Sequence, residues 1–249
     1  MADELRKLLP HRADSIHLIR YGVDMPKTVR RAAPGPLRLI YSGRLARDKG
    51  VFDLPLIAKA LMDRQCRVQW TIQGTGPDEA ALRDTWPDPA TRWNGMQPMR
   101  AVLNGYLAQD VLVMPSRSEG LPVALLEAAA AGVVPVVTNL PSGIPEVVTP
   151  GVTGYRPEPG DIGGFVDAIA RLESDRAGLE AASVEVRRLV EQRYDASACT
   201  AEYQRLYSKV VTTKRTWQPR PLPYGSRLDR RWLPNPVVRF VRSATRRAR

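Results

Sequence analysis

The chain has 249 residues, 43% of them hydrophobic and 25% charged, the balance of a soluble globular protein long enough to bury a sizeable core. Its two cysteines, Cys66 and Cys199, are too few for a disulfide framework or a zinc cluster and point to a reducing, cytoplasmic compartment. The formal net charge of +11 sits at one end: residues 209–249 hold twelve Lys or Arg and one acid, Asp229, which leaves residues 1–208 near neutral.

Taken in chain order, the N-terminal MADELRKLLPHRADS carries charges where a signal peptide would carry its apolar stretch, and no run anywhere approaches the roughly 20 apolar residues that span a bilayer. Strand-like runs rich in β-branched residues begin at Leu37 (LRLIYSG), Arg67 (RVQWTIQG), Asp110 (DVLVMPS) and Val133 (VVPVVT). Between them lie segments with helical spacing, as in VFDLPLIAKALMDR, where Val51, Leu54, Ala58 and Leu61 fall on one face. Strands alternating with helices predict a doubly wound, Rossmann-like α/β domain with a parallel sheet. Helices are then expected near residues 161–173, 175–193 and 196–212. Beyond them, Pro219, Pro221, Pro223, Pro234 and Pro236 break any regular element, so residues 213–249 read as a separate basic tail following a domain at residues 31–212.

An open parallel sheet binds ligands beyond the carboxyl ends of its strands. Three motifs fall at that edge: SGRLARDKG after the first strand, GTGP after the second, and SRSEGLPVALLEAAAAG after the third of these runs. Pro122 suits the first turn of the helix that follows. The start of such a helix offers unpaired N–H groups and a partial positive charge to a phosphate, and Gly120 lets that backbone approach closely. Glu119 falls before the helix start and Glu127 inside it, a separation of roughly 7–8 Å along the axis if 1.5 Å is counted per residue. Two acids flanking an anion site are poor phosphate ligands but good acceptors for hydroxyl groups, such as a ribose diol and a sugar. Arg44 and Lys49 supply the counter-charge for a diphosphate. Taken singly, each feature has an ordinary explanation: an acid near a helix start is favoured by the dipole, GTGP makes a turn, and Arg44 and Lys49 are a solvated charged loop. Their joint placement at one sheet edge is what points to a nucleotide diphosphate sugar.

The spacing of Glu119 and Glu127, together with GRLARDKG, GTGP, YLAQDVLVMPSRSEGLPVALLEAAAAG, IPEVV and GVTGYRPEPGD, resembles the C-terminal, donor-binding half of GT-B glycosyltransferases of the retaining family four. The resemblance covers about residues 15–208. It implies a UDP- or GDP-linked sugar as co-substrate, transfer of a hexosyl group with retention of anomeric configuration, and no metal or other cofactor. It further implies that Arg44 and Lys49 hold the departing diphosphate in place of a divalent ion and that Glu119 contacts the donor sugar. Gly43 and the backbone of Gly120, Leu121, Pro122 and Val123 would lie along sugar and phosphate, Glu127 would take the ribose hydroxyls, and the region around Met96 would approach the base. Residues 1–30 resemble the segment that links the two GT-B halves, with IRYGVDMP at the hinge. The acceptor-binding half and the family's catalytic histidine then belong to another chain or to upstream sequence, and His11 and His17 read as surface residues.

An alternative reading is a nucleotide-sugar-binding module without transfer activity; the presence of all four polar donor-site residues argues for the transferase. Nucleic-acid binding through the tail has the charge but no recognisable recognition module. Trp217, Tyr224, Trp232 and Phe240 interleaved with arginines suit an anionic membrane surface instead, which would make the protein peripheral at the membrane.

Overall fold

The computed structural model describes residues 2–30 and 32–212; the basic tail lies outside the described residues. Contacts divide the chain into a unit of residues 1–205 and a second of residues 206–249.

The first unit is built on five parallel strands, β1 (Leu37–Ser42), β2 (Val68–Gln73), β3 (Arg92–Gly95), β4 (Val111–Met114) and β5 (Val134–Val137), in the order β3-β2-β1-β4-β5. Four of them lie in the apolar runs read from the sequence. The fifth, β3, is an edge strand of sequence RWNG with alternating exposed and half-buried residues, and carries no apolar run to announce it. The period of two divides each inner strand between two cores. Leu37, Leu39 and Tyr41 of β1 and Val111 and Val113 of β4 face one side, with Ile40, Leu112 and Met114 on the other.

Helix α1 (Ala2–Leu8) and a short 3-10 turn (Pro10–Ser15) precede the sheet, and His11 and His17 there are exposed, as surface residues should be. Helices α2 (Asp53–Asp63), α3 (Glu79–Thr85), α4 (Met99–Tyr106) and α5 (Val123–Ala130) connect the strands. Helices α6 (Ile162–Ser174), α7 (Arg176–Tyr194) and α8 (Ala196–Thr212) follow within one residue of their expected bounds. The N-terminal ends of α6, α7 and α8 are marked by Asp161, Asp175 and Asp195, whose carboxylates accept from Gly164, Gly178 and Ala198 backbone N–H groups at 2.9, 2.8 and 2.9 Å. On α2 the buried stripe is Leu54, Ile57 and Leu61, following Val51, with Ala58 only half-buried at its margin. Among the described residues no helix is long and apolar enough to cross a membrane.

Parts of the segment that resembles a linker are built into the sheet domain. Val23 is buried, donates its N–H to the Tyr194 carbonyl at 2.8 Å, and accepts at its own carbonyl from the Ala196 N–H at 3.1 Å. Arg30 is buried and donates to Asp110 at 2.8 Å, to the Gly132 carbonyl at 3.0 Å and to Ser183 at 3.1 Å, with Glu180 as a further partner. Asp110, just ahead of β4, also accepts from the backbone and guanidinium of Arg38 on β1 at 2.7–2.9 Å. One carboxylate thus fastens β1, β4 and the incoming chain at the amino end of the sheet.

Burial by itself would raise the Asp110 carboxyl, but its bonds to Arg38 and the nearby Arg30 charge outweigh that and hold it below its ordinary value. A folded-state pKa below the unfolded one means that this stabilisation is complete above about pH 4 and is lost as pH falls through the folded value. Asp110→Asn is expected to cost about 3 kcal/mol at pH 7, since Glu180 still partly compensates Arg30, and to flatten the acid limb of stability below about pH 4. Chemical denaturation followed at pH 7 and pH 3.5 checks both; an unchanged midpoint at pH 7 contradicts the role given to Asp110.

Candidate functional site

The order of strands reverses at β1: the chain adds β2 and β3 on one side, then returns to lay β4 on the other. The carboxyl ends of β1 and β4 therefore flank the crevice where ligands bind in such sheets. The loops leaving these two strands carry Arg44 and Lys49, and Glu119 and Gly120.

Glycines hold the first loop from both sides. Gly50 has φ +67°, and a Cβ there would lie 1.9 Å from the Pro115 carbonyl oxygen, so the two loops touch backbone to backbone. Gly74 has φ +126°, and a Cβ on it would lie 1.9 Å from the Gly43 carbonyl oxygen, while one on Gly76 would lie 2.2 Å from that of Leu45. GTGP is therefore more than a turn: it lets the loop after β2 press against the loop after β1. Leu45 N–H donating to Thr75 at 2.9 Å and Gly43 N–H donating to Gln73 at 3.0 Å complete the seam. On the other flank Arg117 N–H donates to the Asp48 carbonyl at 2.9 Å, and the Arg117 guanidinium pairs with Asp53 at 2.7 Å.

Two of the expected site residues meet directly. Lys49 Nζ donates to Glu119 Oε1 at 2.8 Å, with side-chain exposures of 24% and 11%. Arg44 lies in the same loop, its carbonyl held by the Tyr41 hydroxyl at 2.7 Å, but its guanidinium reaches Asp48 at 2.9 and 3.0 Å. Each cation already has a carboxylate partner.

Helix α5 corrects two expectations. Pro122 is the N-cap rather than a residue of the first turn: its φ of −65° fits a helix, but its ψ of 130° is extended, and its carbonyl accepts the first helical bond, from Leu126 at 3.3 Å. The helix begins at Val123, which is half exposed. Glu127 is its fifth residue, whereas Glu119 stands in irregular chain, so counting helical rise from Glu119 does not give the separation of the two acids. No side chain caps α5 among the described residues, leaving its first N–H groups toward the crevice. A Cβ on Gly120 would meet nothing within 4 Å, so this backbone faces open space, while its carbonyl is held by Gly143 N–H at 3.1 Å. The Tyr21 hydroxyl bonds the Leu121 carbonyl. Met96 is exposed just past β3, after Gly95, whose carbonyl accepts from Gly74 N–H at 2.8 Å.

Glu127 is half-buried, and burial, reinforced by the charge of Asp24, raises its pKa above the ordinary carboxylate value. The fully buried Tyr106 hydroxyl, its ionisation raised first by burial, feels the charge of Glu127 and has no well-formed hydrogen bond among the described residues. Sequence reading gave no role to Asp48, Asp24, Tyr106 and Tyr21, although each lies in a quoted motif: Asp48 in GRLARDKG, Tyr106 at the start of YLAQDVLVMPSRSEGLPVALLEAAAAG, and Tyr21 and Asp24 in IRYGVDMP. Glu146 of the IPEVV motif proves to be a tie, accepting from Arg20 at 3.4 Å and from Tyr194 at 3.3 Å. A groove of about 820 Å³ lined by Trp70, Trp86, Met62 and Cys66 opens at the amino end of β2 and shares no residue with this site.

Residues 27–188 match the family described as Glycosyl transferases group 1, and the chain belongs to that family. Its sheet is a Rossmann-like half of the GT-B glycosyltransferase fold. Glycogen synthase of Mycobacterium tuberculosis is 30% identical over 227 residues, covering 88% of this chain and 55% of that protein. The putative colanic acid biosynthesis glycosyltransferase WcaL of Salmonella typhimurium is 30% identical over 211 residues, 79% of this chain and 52% of that one. The S. aureus TarM G117R mutant, solved with fondaparinux, alpha-GlcNAc-glycerol and UDP, aligns with a TM-score of 0.71 at 16% identity over 83% of this chain and 42% of its own. Anabaena HepE, solved with UDP and glucose, aligns at 0.67 and 18% identity over 79% and 58%. The chain spans about half the length of the curated relatives it matches.

A raised folded-state pKa means that ionised Glu127 opposes folding: its unfavourable contribution is present above the folded pKa and disappears as pH falls through it to the unfolded value near 4.3. Glu127→Gln is therefore expected to raise the thermal midpoint at pH 7, with the gain shrinking as pH falls toward 4. Scanning calorimetry at several pH values checks this, and a lower midpoint at pH 7 would contradict it.

Proposed function

We propose that this chain is the donor-binding, C-terminal half of a retaining GT-B glycosyltransferase, which takes a UDP- or GDP-linked sugar and transfers the hexosyl group to an acceptor held by a second Rossmann-like half. The observation that carries the reading is the Lys49–Glu119 pair beside the uncapped start of α5, at the point where strand order reverses. The UDP in the TarM and HepE structures supports a nucleoside diphosphate as the leaving group.

Cleaving the bond from the anomeric carbon to the β-phosphate oxygen leaves negative charge on the diphosphate. Arg44, Lys49 and the first N–H groups of α5 stabilise that charge as it develops and act where other transferases use a divalent ion. Glu119 accepts from hydroxyls of the donor sugar, Glu127 from those of the ribose, and the backbone of Gly43 and of Gly120 to Val123 runs along sugar and phosphate. The exposed segment around Met96 meets the base. Acceptor positioning, the entropic part of catalysis, comes from the second half.

Calorimetry across a panel of UDP- and GDP-sugars tests the donor site. One of them is expected to bind, and Arg44→Ala, Lys49→Ala and Glu127→Ala should each weaken it about tenfold to a hundredfold, the size of one hydrogen bond to a charged group. A folded protein that binds no member, or binding that all three substitutions leave intact, would remove the site from this crevice.

For the tail at residues 213–249 we propose binding to an anionic membrane surface, on the strength of its arginines and its four aromatic residues, each basic residue near the surface contributing about 1 kcal/mol. The full chain should then sediment with phosphatidylserine vesicles, not with phosphatidylcholine vesicles, and release as salt rises. Equal sedimentation of a chain ending at Ser208 would take the tail out of membrane binding.

A further inference from the structure

Both cations assigned to the diphosphate are bonded to carboxylates from the loops that form the crevice, but the two pairs stand in different surroundings. The Arg44 and Asp48 side chains are 58% and 52% exposed, so water replaces either partner when the pair opens, and the pair is worth little. Glu119 is 11% exposed and Lys49 24%. Opening that pair leaves a carboxylate largely screened from water, and its charge must then be met by some other donor.

We propose that Glu119 is a displaceable counter-ion that couples release of the spent nucleotide to loss of the sugar. This rests on the donor-site reading above and deepens it. An intact nucleotide sugar brings both groups that the exchange requires: phosphate oxygens take Lys49, and sugar hydroxyls donate to the carboxylate that Lys49 leaves. After transfer the nucleoside diphosphate retains its charge but has no hydroxyl at that position. Glu119 is then unpaired, poorly hydrated and close to a second anion, so re-forming the bond to Lys49 competes with the diphosphate for the same ammonium. The free diphosphate is thereby held less tightly, relative to the nucleotide sugar, than its charge alone would give. Asp48 has no such effect, because its oxygens are wet with or without ligand.

The test compares two ligands on the full chain. UDP and UDP-glucose, and GDP and GDP-mannose, are titrated calorimetrically into the wild type, Glu119→Gln and Asp48→Asn, with Glu119→Ala as a second variant in case the glutamine form does not fold. Either Glu119 variant is expected to bind the free diphosphate about tenfold tighter, the equivalent of freeing one charge-assisted bond, without binding the nucleotide sugar tighter. Asp48→Asn should shift both ligands together and leave their ratio unchanged. If the Glu119 variants do not bind the free diphosphate tighter than the wild type, the coupling is overturned while the donor site stands, even where the nucleotide sugar alone binds more weakly. Folded wild type and variants that bind none of the four ligands overturn the donor-site reading and this inference with it.

Discussion

The site depends on a constraint of parallel sheets: crossovers from one strand to the next are almost always right-handed, so a chain that first grows the sheet in one direction and then in the other parts at the strand where it began. Here that strand is β1. The connections leaving β1 and β4 depart to opposite sides, and nothing in the local winding covers the gap between their carboxyl ends. Lys49 and Glu119, 70 residues apart in the chain, meet in that gap. The glycines of the neighbouring motifs serve the same end, since Gly50, Gly74 and Gly76 stand where any side chain would drive the loops apart.

The seam between β1 and β4 is chemically different at its two ends. At the amino end, Asp110 gathers Arg30 and Arg38 in a nearly dry cluster whose bonds to backbone and side chains meet most of the donors and acceptors that burial strips of water. Such a cluster has no reason to open, and it pins the register of the two strands. At the carboxyl end the same residue types form pairs of rising exposure, Lys49 with Glu119 and then Arg44 with Asp48. Burial separates three kinds of ion pair: a nearly dry joint at the amino end, the part-buried Lys49–Glu119 pair, and the solvated Arg44–Asp48 pair. Glu127 completes the picture as a half-buried acid with Asp24 nearby and no ion pair among the described residues. Its charge opposes folding, a cost of a kind often met at functional sites.

Sequence alone determined the parts of this protein that are local. Four strands announced themselves through β-branched runs, and the last three helices through their spacing, because burial on a pleated or helical face imposes a period that survives in one dimension. The motifs after β1, β2 and β4 were legible as edge motifs for the same reason, and with them Arg44, Lys49, Glu119 and Glu127. Tertiary structure alone decided the rest. The strand β3 is a solvent-facing edge with no apolar period to read, and Pro122 takes the N-cap because its ψ, which the ring does not fix, is set by the loop it closes. That Lys49 meets Glu119 followed only from the adjacency of β1 and β4, whereas Arg44 pairs with Asp48, four residues on in its own loop. A carboxylate's charge is visible in the sequence, but its partner and its access to water are properties of the assembled crevice, and these decide whether it supports the fold or is free to exchange with a ligand.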